Sequence, residues 1–197
     1  TLFALADLIG GEYFDADNTK FIFALGVIAS WRYSNALVHF TRGMIFLHYK
    51  FPRVRKRVNK LGKSSLPSEM FIIVTSFRIP SDTTFKVYES VFKESDRLNV
   101  PVTVVVSIVE KGDERLIKDA LNRTIKSSKS IKLVIIRARG TGKRDGLGHA
   151  FRSVARCMPK PGSVVGVVDG DTILVPGCIE KAVSVFSVLP TVGGLTT

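Results

Sequence analysis

From Glu69 onward the apolar positions of this chain follow two alternating rhythms. Short, largely apolar and β-branched runs at 70–76, 102–109, 131–137 and 163–168 have the length and composition of buried strands. The longer stretches 81–98, 113–127, 145–157 and 177–189 repeat their apolar residues at helical spacing, and Ser81 is placed to cap the first of them. Strands alternating with helices of this length imply right-handed βαβ units and a parallel sheet covered by helices. The expected fold class is therefore α/β, a Rossmann-type parallel sheet with flanking helices.

The first third reads differently. Residues 2–9 resemble the tail of a hydrophobic helix, followed by a polar, acidic loop with Glu12, Asp15 and Asp17. Residues 21–49 are largely apolar and free of proline, but Arg32, His39 and Arg42 interrupt them. A membrane span needs roughly 20 predominantly apolar residues. Three readings stay open here. The segment is a transmembrane helix with its polar residues turned to other helices or a cavity. Or it is a short span ending near Trp31 and continued by an interfacial amphipathic helix. Or it is a soluble helical domain. The next stretch weighs against the last, because Lys50, Arg53, Arg55, Lys56, Arg57, Lys60 and Lys63 follow directly. A basic cluster after an apolar helix is what the cytoplasmic side of a membrane selects, and anionic lipid headgroups would hold it. Pro52 and Pro67 bracket it as a linker. The expected organisation is 1–49 as membrane-embedded or interfacial helices, 50–68 as a basic juxtamembrane linker, and 69–197 as the α/β domain.

Composition narrows the partners. Across 197 residues, 29 Lys and Arg stand against 17 Asp and Glu, a formal charge of +12. Such a balance points to polyanions: nucleic acid, anionic lipid or phosphorylated substrates. The densest charge is juxtamembrane and lacks interleaved aromatics, so nucleic acid is not an expected partner. Cys157 and Cys178 form no metal or redox spacing, which suits a reduced compartment. The start at Thr1 and the end at Thr197 suggest an excised piece.

Candidate chemistry gathers at the ends of the strands, where open α/β sheets bind their ligands. The run from Ser163 to Val168 ends in Asp169-Gly-Asp171, two carboxylates suited to holding a hard divalent cation against a phosphate. Gly170 between them lets the backbone turn without a Cβ. After the first strand, Thr75-Ser-Phe-Arg78 offers hydroxyls, an aromatic ring and a guanidinium to a nucleotide. After the second come Ser107, Glu110 and Asp113. The third opens into Arg137-Ala-Arg-Gly-Thr-Gly-Lys-Arg-Asp145, whose basic residues and glycines precede a helix and read as an anion cradle. This is not a P-loop, since Arg137 and Arg144 occupy the places of its first Gly and its Ser or Thr. His149 reads as a helix-face residue. No Ser-His-Asp set, paired-cysteine site or dinucleotide fingerprint is visible.

Together these residues resemble the family-two glycosyltransferases of GT-A fold, specifically the processive membrane synthases of cellulose, chitin and hyaluronan. The motifs that carry the resemblance are Thr75-Ser-Phe-Arg78, Gly142-Lys-Arg144, Asp169-Gly-Asp-Thr172, Pro176-Gly-Cys178 and the closing Val-Gly-Gly-Leu-Thr run. Trp31-Arg-Tyr-Ser34, His39-Phe-Thr-Arg-Gly-Met44 and Phe51-Pro-Arg53 resemble the branch of bacterial enzymes that polymerises alginate. The resemblance implies inverting, metal-dependent transfer from a nucleotide sugar, GDP-mannuronic acid in that branch, to a growing polysaccharide. Asp169 and Asp171 would hold Mg²⁺ or Mn²⁺. Lys143 and Arg144 would support the phosphates or sugar. Thr75, Ser76, Phe77, Arg78, Glu110 and Asp169 would border the donor. It further implies a bacterial inner membrane location with a cytoplasmic catalytic domain, contact with lipids, and other exopolysaccharide-secretion subunits.

Two departures stand out. The family's nucleobase-binding aspartate at the end of the second strand is replaced by Ser107, leaving Glu110 or Asp113 as substitutes. The general base and the Gln-x-x-Arg-Trp motif are expected beyond Thr197, so the piece alone is expected to be inactive. The competing expectations are a synthase using a UDP-sugar and a membrane-tethered nucleotide-binding regulator without transfer activity.

Overall fold

The computed structural model describes residues 16–76, 78–125, 131–138 and 142–196. By internal contacts the chain divides into two units at Val54 and Arg55.

The first unit is dominated by helix α1, Ala16–Ile45, which continues through a π-helical turn, Phe46–Lys50, into helix α2, Phe51–Leu61. At 1.5 Å per residue, α1 is roughly 45 Å long. Its large apolar side chains, among them Phe23, Ile28, Trp31, Leu37 and Phe40, are exposed. Even so, no helix among the described residues is long and apolar enough to cross a membrane. The polar stretch Trp31-Arg-Tyr-Ser-Asn35 falls in the middle of α1, between two apolar runs. The basic segment expected as a linker is instead helical over Phe51–Leu61 and closes with a 3₁₀ turn, Gly62–Ser65. Pro52 lies inside this continuous helix, directly after the π-helical turn, where the Phe51 N–H already reaches back to Phe46 O and the regular i→i−4 pattern is shifted.

The second unit holds the expected α/β domain. The strands are β1 (Met70–Thr75), β2 (Val102–Ile108), β3 (Ile131–Arg137) and β4 (Val164–Asp169). The helices are α3 (Ser81–Arg97), α4 (Lys111–Thr124), α5 (Lys143–Arg156) and α6 (Cys178–Val188). Ser81 is the first helical residue of α3 rather than its cap, a place taken by Pro80. The tail expected for α4 at residues 126 and 127 lies outside the described residues.

All pairings are parallel, in the order β3-β2-β1-β4. Strand β1 is buried along its whole length, as a central parallel strand must be. Its alternate residues serve two cores. Met70, Ile72 and Val74 pack with α3, α4 and α6 residues such as Tyr88, Phe92, Ile117 and Ile179. Phe71 and Ile73 pack on the other face with Ala150 and Val154 of α5. The crossover through α5 thus changes face and brings β4 to the far side of β1. Chain direction reverses its spread at the β1–β4 pair, and open α/β sheets bind their ligands in the crevice beyond the carboxyl ends of two strands so placed.

Candidate functional site

The register puts Thr75, the last residue of β1, beside Ser107 on one side and Asp169 on the other. Asp169 ends β4 and is half exposed, and Asp171 follows it in an exposed turn closed by the Thr172 N–H donating to Asp169 O at 3.0 Å. Both carboxylates therefore stand at the crevice.

Gly170 is required here for a reason other than a turn. A Cβ on it would lie 2.4 Å from Thr75 O, 2.6 Å from Ile79 Cδ1 and 3.2 Å from Ser76 Cα. The backbone between the two acids is pressed onto the end of β1, and only a residue without a side chain fits.

The ion pair between Lys143 Nζ and Asp169 Oδ1 joins the β3–α5 connection to the end of β4. Lys143 is the first residue of α5, and Gly142 before it has φ 132°, in the region that favours glycine. Arg144 follows, exposed. One part of the expected cradle is engaged elsewhere. Arg137 donates to Glu114 Oε2 at 2.6 Å and is engaged with α4. Lys118 and Arg137 together pull the Glu114 carboxyl down to about 2. Residues 139–141 lie outside the described residues, so Arg139 is not placed.

Of the residues expected to border a donor, Thr75 and Ser76 are buried at the strand end, and the Ser76 N–H donates to Ser107 O at 2.9 Å. Among the described residues, Thr75 Oγ1 has no hydrogen-bond partner. Phe77 lies outside the described residues. Arg78 is exposed with φ 53°, a left-handed conformation that is uncommon for a residue with a side chain. Glu110 is exposed and stands at the N-cap of α4.

Ser107 is closed off. It is 3% exposed, and a Cβ on Gly146 of α5 would sit 2.8 Å from its Oγ. The small pair Ser107 and Gly146 lets α5 approach β2 where a longer acid at 107 would collide. Asp113, by contrast, is a buried carboxyl in the first turn of α4. Burial and then the charge of Glu110 push its pKa up, and the Ser76 hydroxyl partly offsets them. His149 pairs weakly with Asp145 one turn away on α5, at 3.6 Å, as a helix-face residue would. Both cysteines are free.

Sequence reasoning missed Ser90 and Glu94. One turn apart on α3, they accept hydrogen bonds from the loop after the two aspartates: Leu174 N donates to Ser90 Oγ at 3.0 Å, and Gly177 N to Glu94 Oε2 at 2.8 Å. Glu94 is 3% exposed. Gly177 precedes α6 with φ 77°, and the Glu94 carboxylate holds its N–H. The available signal was a glutamate on a helix face otherwise made of Val87, Tyr88, Val91 and Phe92. A buried acid of that kind needs donors, and backbone amides are the commonest.

A divalent cation fits this donor set. Two hard carboxylates stand at a strand end, and the chain's own Lys143 ammonium already rests on one of them. Among the described residues no group of three or more His, Cys, Asp or Glu side chains converges, so the remaining ligands would have to be phosphate oxygens and water. A parallel sheet with paired carboxylates and cations at its switch point is a nucleotide-diphosphate architecture in its chemistry.

The comparisons agree with that class. Residues 67–197 match the family described as glycosyltransferase like family 2, and the chain belongs to it. Along its length the chain is similar to glycosyltransferase alg8 of Pseudomonas syringae pv. tomato, 45% identical over 196 residues, covering 100% of this chain and 40% of that protein. It is also similar to glycosyltransferase alg8 of Azotobacter vinelandii, 47% identical over 189 residues, covering 96% and 38%. The chain thus spans about 40% of the length of the curated relatives it matches.

Proposed function

We propose that this chain is the donor-binding part of a GT-A processive glycosyltransferase that polymerises GDP-mannuronic acid into mannuronan by an inverting, metal-dependent transfer. The observation that carries the reading is the meeting of Lys143 with Asp169 at the β1–β4 crevice, in a chain of the glycosyltransferase family. Similarity to two alg8 glycosyltransferases supports the alginate polymer.

In this reading Asp169 and Asp171 hold Mg²⁺ or Mn²⁺, which when bound neutralises charge building on the diphosphate leaving group. Lys143 and Arg144 meet phosphate or sugar oxygens from the start of α5. Thr75, Ser76 and Arg78 border the nucleotide, and the orphaned Thr75 hydroxyl is suited to a ligand's polar atom. Ser107 is shut behind Gly146 and Asp113 is buried in the first turn of α4, so base recognition falls first to Glu110, exposed at the N-cap of that helix.

We also place the protein at the bacterial inner membrane with this domain on the cytoplasmic side. The exposed apolar side chains of α1 and the basic residues of α2 support contact with an interface and its anionic lipids. The growing polysaccharide and other secretion subunits are its further partners.

The test is donor turnover by the full-length, membrane-reconstituted protein with Mg²⁺ or Mn²⁺, across GDP- and UDP-sugars. Consumption of GDP-mannuronate alone supports the reading. Consumption of a UDP-sugar keeps the enzyme class and discards the polymer, and no turnover of any donor favours a regulatory module. Asp171→Asn should abolish Mn²⁺-dependent donor affinity in isothermal titration; unchanged affinity removes the metal assignment.

A further inference from the structure

Lys143 and Asp169 are each about half exposed, with side-chain accessibilities of 56% and 50%. The lysine reaches the carboxylate from the first turn of α5 on a flexible four-carbon stem, so it can exchange partners without backbone movement. Its ammonium engages Asp169 Oδ1, one of the two carboxylate oxygens that this residue could offer a divalent cation.

We infer that Lys143 and the divalent cation compete for Asp169, and that the diphosphate relieves the competition by drawing Lys143 away. This rests on the reading of Asp169 and Asp171 as metal-holding carboxylates. Its consequence is an order of binding. Metal alone meets a carboxylate already engaged with a cation and binds weakly. Metal and nucleoside diphosphate arrive together, because the phosphate offers the ammonium a second anion. By linkage the effect is reciprocal, and nucleotide tightens metal as much as metal tightens nucleotide. Lys143 would then do more than hold phosphate, since it would keep free metal off the carboxylates until a donor arrives.

Titration of the full-length protein with Mn²⁺, read by electron paramagnetic resonance of the free ion with and without GDP, tests this. Wild type should bind Mn²⁺ weakly alone and more tightly with GDP. Lys143→Met should strengthen Mn²⁺ binding without GDP by about two- to fivefold, the worth of an exposed ion pair, and should shrink the effect of GDP. Arg152→Met removes an exposed positive charge two turns further along α5 and should leave Mn²⁺ binding without GDP unchanged. An unchanged or weaker affinity in Lys143→Met overturns the inference. So does an equal gain in Arg152→Met, which would reduce the effect to general charge. Absence of Mn²⁺ binding in wild type under both conditions would remove the metal reading itself, and the inference with it.

Discussion

Gly170→Ala is the sharpest structural test of the site, because the methyl group has nowhere to go. Its carbon would sit 2.4 Å from Thr75 O, against the 3.4 Å at which ordinary contact begins, so the two backbones must part by 1.0 Å (3.4 − 2.4). Neither neighbour yields easily. Thr75 O belongs to the last residue of β1, a strand paired on both sides, and Ile79 Cδ1 closes on the methyl at 2.6 Å. Overpacking of this kind costs about 1–3 kcal/mol. At about 2–4 °C per kcal/mol for a chain of this size, Tm should fall by roughly 2–12 °C. The displacement lands between Asp169 and Asp171, so Mn²⁺ affinity should fall as well. Gly148→Ala is the internal control, since Gly148 lies within α5 and a Cβ there meets nothing within 4 Å. It should stabilise by about 0.5–1 kcal/mol, the ordinary helix gain of alanine over glycine. Thermal unfolding followed by circular dichroism, with Mn²⁺ titration of each variant, reads both. A Gly170→Ala protein with wild-type Tm and wild-type Mn²⁺ affinity would refute the close approach of the aspartate turn to β1.

Glu94→Ala should cost about 1–3 kcal/mol, because the Gly177 N–H loses its acceptor. Glu94→Gln keeps an acceptor oxygen and should cost less, and equal losses in Tm would argue against the loop-holding role. Asp113 supplies a pH signature. Its folded pKa is raised above the ordinary 3.8, so the folded state holds the proton more tightly, and the protein gains stability as pH falls from neutral through the folded value. The Tm of wild type minus that of Asp113→Asn should therefore rise as pH is lowered from 7 toward 4, and a pH-independent difference would contradict the burial of this charge. Glu69 and Glu114 have the opposite sign. Their folded values lie below 4.5, so their contribution is present above that pH and is lost as pH falls below it.

The eight elements of the α/β unit were legible in the chain because each is set by local periodicity. Largely β-branched runs of six or seven residues and amphipathic helices between them specify themselves, and the strand ends lie within a residue or two of their expected places. The two aspartates were legible as the end of a valine-rich strand, but the burial expected for that strand was not met: β4 is an edge strand of the described sheet, and Val165 and Val167 on one of its faces are exposed. The length of α1 was legible too, from the apolar run that Arg32, His39 and Arg42 interrupt.

What periodicity could not decide was which strands are neighbours. That β4 lies beside β1 rather than beyond β3 depends on contacts between residues about ninety positions apart, such as Thr75 with Asp169. The same long-range placement makes Gly170 a packing residue, shuts Ser107 behind Gly146, takes Arg137 to Glu114, and sets Glu94 beneath Gly177. Each of these is a matter of which surfaces are pressed together once the sheet is ordered, and a linear pattern carries the identity of the residues but not the distance between them.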